Sequence, residues 1–162
     1  MTATTTPTEL TSEQQDLLTT LDKHRGFLRH TVAGLTDEQA QQRTTASELC
    51  LAGLVKHVAQ MEELWTRFIM EGTEAMSFSP ESMQAHADGF RMLSGETLDS
   101  ILADYEAVAA RTAEVVAGLP SLDVSHPLPE APWFEPGARW SARRALLHVV
   151  AETAQHAGHD VE

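Results

Sequence analysis

Four side chains near the C-terminus share a chemistry and a spacing. His148, Glu152, His156 and His159 each offer a donor that a metal ion can take. On a helix with His148 set at 0°, Glu152 falls at about 40°, His156 at about 80° and His159 at about 20°. They share a face less than about a third of the circumference wide. Glu152 and His156 are i, i+4 neighbours, so both can reach one ion from a single helix. His57 is the next candidate. Leu54 lies three residues before it and Met61 four after, which turns its imidazole inward among apolar neighbours. A fold that sets His57 opposite the C-terminal face gathers a His, a Glu and a His from two helices. Imidazole and carboxylate suit Zn²⁺, and also Fe, Ni or Co. Three protein ligands leave coordination positions open, the condition for a catalytic rather than a structural metal. Taken singly, each residue has an ordinary reading, as a hydrogen-bonded core histidine or a solvated stripe. The combination is what points to a metal.

Other residues compete for a chemical role. Cys50 is the lone cysteine. It is expected in the first turn of the second long helix, where the dipole lowers a thiol pKa, seven residues before His57. It is a rival nucleophile, and its ordinary reading is a small packing residue. Trp133, Phe134 and Trp140 flank the start of the last helix. They can roof a pocket and bind substrate, or close the core; Trp140 reads as core and Trp133 as either. Arg143 and Arg144 can meet an anionic substrate or simply be solvated. His86 and Asp88 can form a loop metal pair, but their ordinary reading is a solvated loop; His126 reads as exposed, and His24 as packed inward without a role.

The elements that must position these residues are helical nearly throughout. Apolar residues recur at threes and fours from about Ser12 to Gly34, through Leu17, Leu18, Leu21, Phe27, Leu28 and Val32. Thr36 to Gln39 reads as a capping box opening a short helix. Ser47 is the expected N-cap of a second long helix, with Glu48 in its first turn. Its stripe is Leu51, Leu54, Val58, Met61, Trp65 and Phe68, and Gly72 follows its end. Residues 73–95 read as a connection with one helical turn. A third long helix spans about Thr97 to Ala117. Five prolines between 119 and 139 exclude a helix there and predict a semi-extended crossover. Ser141 then caps a fourth long helix that runs to the end. Asp160 and Glu162 oppose the macrodipole at such an end, so early termination or fraying is expected. No period-2 strand of useful length is found. The reading is all-α, a four-helix bundle. Residues 1–10 form a flexible leader and residues 11–162 a single domain.

Composition removes several partners. Eleven Lys+Arg against 24 Asp+Glu give a net charge of −13. That leaves little cation to replace counterions on nucleic acid or to dock on anionic lipid. No run approaches the ~18 apolar residues of a membrane span, and the Thr-rich start lacks a signal peptide's basic and apolar regions. One cysteine excludes an internal disulfide framework and fits a reducing cytoplasm.

Two segments carry a family resemblance. Leu51-Ala-Gly-Leu-Val-Lys-His57-Val, and the stretch from Trp140 to His159 with its Glu152-Thr-Ala-Gln-His156-Ala-Gly-His159, resemble the DinB-like superfamily. The nearer match is an actinobacterial branch that looks related to mycothiol-dependent enzymes. Gly95-Glu-Thr-Leu98 and the helix of Tyr105 fit the same pattern, and the resemblance covers about residues 15 to 162. It implies a four-helix bundle with a long crossover before the last helix, often dimeric. It also implies a divalent metal held by a His of the second helix and two residues one turn apart in the last. Many members have His at both places of that pair; here Glu152 stands first, as in mycothiol-dependent maleylpyruvate isomerase. Carried over, the ligands are His57, Glu152 and His156. His148 and His159 are then extra histidines facing the ligands or the substrate.

A divalent cation, most simply zinc, deprotonates a coordinating thiol. The leading expectation is therefore a metal-dependent S-transferase. The resemblance nominates mycothiol as the thiol that attacks a small electrophile, in detoxification or stress. Two further readings fit the same residues: a metal-dependent hydrolase, and a non-catalytic metal-binding bundle.

Overall fold

Each long helix begins where a short side chain can take its free N–H groups. The computed structural model describes residues 9–42, 50–76 and 79–159, the side chain of His159 excepted. Helix α1 (Ser12–Thr31) opens on a capping box of Thr11 and Gln14. Helix α2 (Asp37–Gln41) opens on the expected box of Thr36 and Gln39. Helix α3 (Leu51–Glu71) is capped by Cys50, whose Sγ accepts the Gly53 N–H at 3.2 Å. This corrects the expected start. Cys50 is extended (φ −106°, ψ 163°), so it is the cap itself and not a first-turn residue. Ser47 and Glu48 lie outside the described residues, as do residues 1–8 and 160–162.

A 3₁₀ turn (Gly72–Met76) and helix α4 (Pro80–Asp88) replace the expected loose connection. Ser79 caps α4 and Pro80 occupies its first position, where a missing N–H costs nothing. Helix α5 (Leu98–Gly118) starts from a box of Thr97 and Ser100. The crossover carries two short antiparallel strands, β1 (Ser125–Pro127) and β2 (Arg139–Ser141), with His126 opposite Trp140. Helix α6 (Ala142–His159) follows at once. Its first N–H groups are all satisfied. Ala142 donates to Val124 O at 2.8 Å, Arg143 to Leu122 O at 3.1 Å, and Arg144 to the expected cap, Ser141 Oγ, at 3.1 Å.

The fold is all-α apart from this ribbon. Helix α3 packs against α5 and α6, and α1 against α6 and α5. With neighbours on two sides, α3 buries a wider face than one stripe, including Val55, Ala59 and Ile69. One apolar cluster gathers Leu28, Val55, Val58, Ile101 and Tyr105. A second gathers Trp65, Phe68, Val116, Leu146 and Val149. Between their levels sits a buried ion pair. Arg25 of α1 donates from Nε to Glu62 Oε2 at 3.2 Å, and from Nη2 to Oε1. Thr112 Oγ1 donates to Glu62 Oε1 at 2.7 Å. Arg25 takes the buried position on α1, while Phe27, expected on that face, is exposed.

His126 is the other correction. It is half-buried, and its Nε2 lies 3.0 Å from the Ile69 carbonyl. It pins the crossover to the end of α3, where Gly72 has φ +81° and no Cβ to strike the imidazole. Among the described residues no helix is long and apolar enough to cross a membrane.

Candidate metal centre

Helices α3 and α6 bring together the residues that the spacing singled out. His57, Glu152 and His156 each present one donor atom, and the three atoms lie within 4.8 Å of one another. The His57 and His156 rings meet almost edge to face, with centroids 5.1 Å apart. Glu152 lies between two histidines of its own helix. Its Oε2 is 3.4 Å from His156 Nε2 and its Oε1 is 3.6 Å from His148 Nε2. His57 is buried, whereas Glu152 and His156 are half-buried, so solvent reaches the α6 pair more readily than His57. His57 Nδ1 is buried with no hydrogen-bond partner. A buried polar atom without a partner is costly, and two imidazoles beside a carboxylate form a donor set suited to a divalent cation. The residues therefore fit a metal.

Burial pushes the His57 pKa down to about 4; His156 and then His86 add to the shift, and Glu152 opposes it. At neutral pH His57 is thus an uncharged donor that need not lose a proton to bind. The folded value lies below the ordinary histidine value, so the unfolded chain takes up the proton first. Stability of the metal-free protein is expected to fall as pH drops from about 6.5 to about 4, by up to about 3 kcal/mol. Urea midpoints compared with those of His57→Gln, whose profile should be flatter, check this.

Two contributors were not legible in the sequence. The Phe90 ring stacks on His57 at 4.5 Å, and His86 of α4 approaches it at 5.8 Å. Gly53 explains how α3 admits them. A Cβ there would lie 2.0 Å from the Phe90 carbonyl oxygen and 2.4 Å from its carbon. Gly53→Ala gains about 1 kcal/mol of helix propensity, but the clash is with backbone and overpacking costs typically 1–3 kcal/mol or more. A net loss of about 2 kcal/mol in chemical denaturation is expected. Gly89 offers a contrast, since a Cβ there would meet the movable Gln60 side chain.

His148 sits in an aromatic niche, 5.0 Å from the Trp65 ring and 5.3 Å from that of Trp140. Burial lowers its pKa; Glu152 raises it and Arg144 lowers it. Trp140 is stacked on Trp65 at 4.8 Å, as its core reading required. The Trp65 Nε1 donor is buried without an acceptor. Trp140, Ser141, Arg143, Arg144, Leu147 and His148 line a cleft of about 360 Å³.

The expected binding residues fare differently. Arg143 is committed to carboxylates, with Glu13 at 2.8 Å and Asp123 at 2.6 Å; it ties α1 and the crossover to α6. Trp133 is 66% exposed and not a core residue, and it does not line the cleft. The side chain of His159 lies outside the described residues. Cys50 is buried and caps α3, and it is not one of the three converging donors.

A family model described as mycothiol-S-transferase matches residues 16–160, a span that includes His57, Glu152 and His156. Among solved structures, an uncharacterised protein from Escherichia coli UTI89 has a similar fold. The TM-score is 0.60 at 13% identity, over 93% of this chain and 92% of that chain. No curated protein matches.

Proposed function

The chain belongs to the mycothiol-S-transferase family, and on that footing we propose that it transfers mycothiol to a small electrophile, using a divalent metal held by His57, Glu152 and His156. The observation that carries this reading is the convergence of three donors from two helices beside the orphaned His57 Nδ1. Zinc suits such a donor set. When bound, a divalent cation favours the thiolate form of a coordinating sulfur.

The chain's own residues supply the rest. His57, kept uncharged by burial, is ready as a donor at neutral pH. Glu152 brings the negative charge that offsets a cation, and its position between His148 and His156 fixes its carboxylate. In the overall step a C–S bond forms from the thiol's sulfur and the thiol proton passes to solvent. The leaving group departs with its electron pair, or in an addition the neighbouring carbon takes up a proton. Cys50 is no part of this, because its sulfur accepts the Gly53 N–H at the start of α3. In the same reading the four long helices are a DinB-like bundle and residues 11–162 form one domain. The protein acts in the cytoplasm as a homodimer, in detoxification or stress.

The test is turnover of a chromogenic electrophile by metal-loaded protein with and without added mycothiol. Thiol-dependent turnover that disappears on metal removal is the expected result. Cys50→Ala should keep full activity and lose at most about 1 kcal/mol of stability through its cap. Thiol-independent turnover would instead favour a hydrolase. No turnover would leave a metal-binding bundle.

A further inference from the structure

Among the described residues most cations of this acidic chain are matched; Lys23 and Arg139 are not, and neither lines the cleft. Arg25, Arg29, Lys56, Arg67, Arg91, Arg111 and Arg143 each lie within salt-bridge reach of a carboxylate. Arg144 differs. Among the described residues it has no carboxylate within salt-bridge distance and no side-chain hydrogen bond. Its guanidinium lies over the Trp140 ring, 4.8 Å from the centroid. The same indole is stacked on Trp65, with centroids 4.8 Å apart. An arginine held on an aromatic face keeps its N–H fork free in the plane of the guanidinium. It stands at the rim of the cleft that Trp140, Leu147 and His148 also line. None of the three converging donors lines the cleft; His148 links the two, since it lines the cleft and its Nε2 is 3.6 Å from Glu152 Oε1. Arg144 to Glu152 is two turns of α6, about 12 Å along the axis.

We propose that this cleft is the subsite for the electrophile, and that Arg144 recognises a carboxylate on it. The body between the carboxylate and the reacting carbon is flat and apolar, as in aryl or alkenyl carboxylates, because Trp140, Leu147 and His148 line the cleft. The proposal rests on the transferase reading for the word electrophile. The anion site itself rests on Arg144 and the cleft. A net charge of −13 disfavours anions in general, so an anionic ligand needs one local unmatched cation, and Arg144 supplies it. Arg143, one residue earlier and named beside Arg144 in the sequence reading, cannot do so while it holds Glu13 and Asp123.

Calorimetric titration with trans-cinnamate and with its methyl ester tests this without any turnover. Wild type should bind cinnamate at least about 10-fold more tightly than the ester. Arg144→Gln should weaken cinnamate roughly 10- to 100-fold, the size of a lost charge-assisted pair, and leave the ester unchanged. Arg144→Lys, which keeps the charge but not the fork, should recover only part. Arg67→Gln, on α3 and outside the cleft, should leave cinnamate affinity as it is. Equal binding of acid and ester, no binding of either, or an equal loss in Arg67→Gln would overturn the subsite. Cinnamate binding that depends on Arg144 without thiol-dependent turnover would keep the subsite and remove the transferase reading. Turnover of neutral electrophiles with cinnamate binding indifferent to Arg144 would do the reverse.

Discussion

His57→Ala and His156→Ala are each expected to weaken zinc binding by more than about 100-fold. Loss of an outer partner of a metal ligand already costs 10- to 100-fold, and these variants remove a ligand itself. His57 should be the more sensitive, because the donor lost is the buried one. Glu152→Ala removes a donor together with the only negative charge among the three, so it belongs to the same class. His148→Ala should have a smaller effect, since His148 touches Glu152 and is not one of the three converging donors. Competition with a chromogenic chelator reads all four variants on one scale. Metal content unchanged in the His57 or His156 variant would sink the assignment. A dispensable Glu152 beside an essential His148 or His159 would keep the helix face and move the ligand.

Arg25→Ala should cost about 3–5 kcal/mol of folding stability, because it strands a carboxylate that is 0% exposed. Among the described residues Glu62 would keep only the Thr112 hydroxyl as a hydrogen-bond partner. Replacing both charges by apolar residues, as in Arg25→Met with Glu62→Leu, should cost far less, since two well-packed side chains remove both desolvation penalties. The double-mutant cycle in urea separates the pair from the packing around it. A double variant as unstable as Arg25→Ala would show that Thr112 and Thr66, 3.2 Å apart beside Glu62, need the carboxylate as an acceptor. Cooperative unfolding in the double variant would also test whether the pair fixes the register of α1 on α3.

The long helices and the face that carries the donors follow from local pattern. A 3.6-residue period survives any packing, and Thr36 and Ser141 cap locally because their partners are three residues away. His57, Glu152 and His156 were legible for the same reason. Each is placed on its own helix by neighbours within a turn or two. Helix α4 escaped that logic: it buries no residue and so carries no apolar stripe, and its only signal was Ser79-Pro80, which serves turns as well as helix starts. With α4 unseen, His86 and Phe90 could not be brought to His57. Which of Arg25, Arg143 and Arg144 is matched depends on packing between elements. Glu13 lies 130 residues from Arg143, and Glu62 lies 37 from Arg25. Arg143 and Arg144 are adjacent and chemically identical in the sequence. A turn of about 100° between them sends one to two carboxylates and the other onto Trp140. Only the packing of α1 and the crossover against α6 determines which is which.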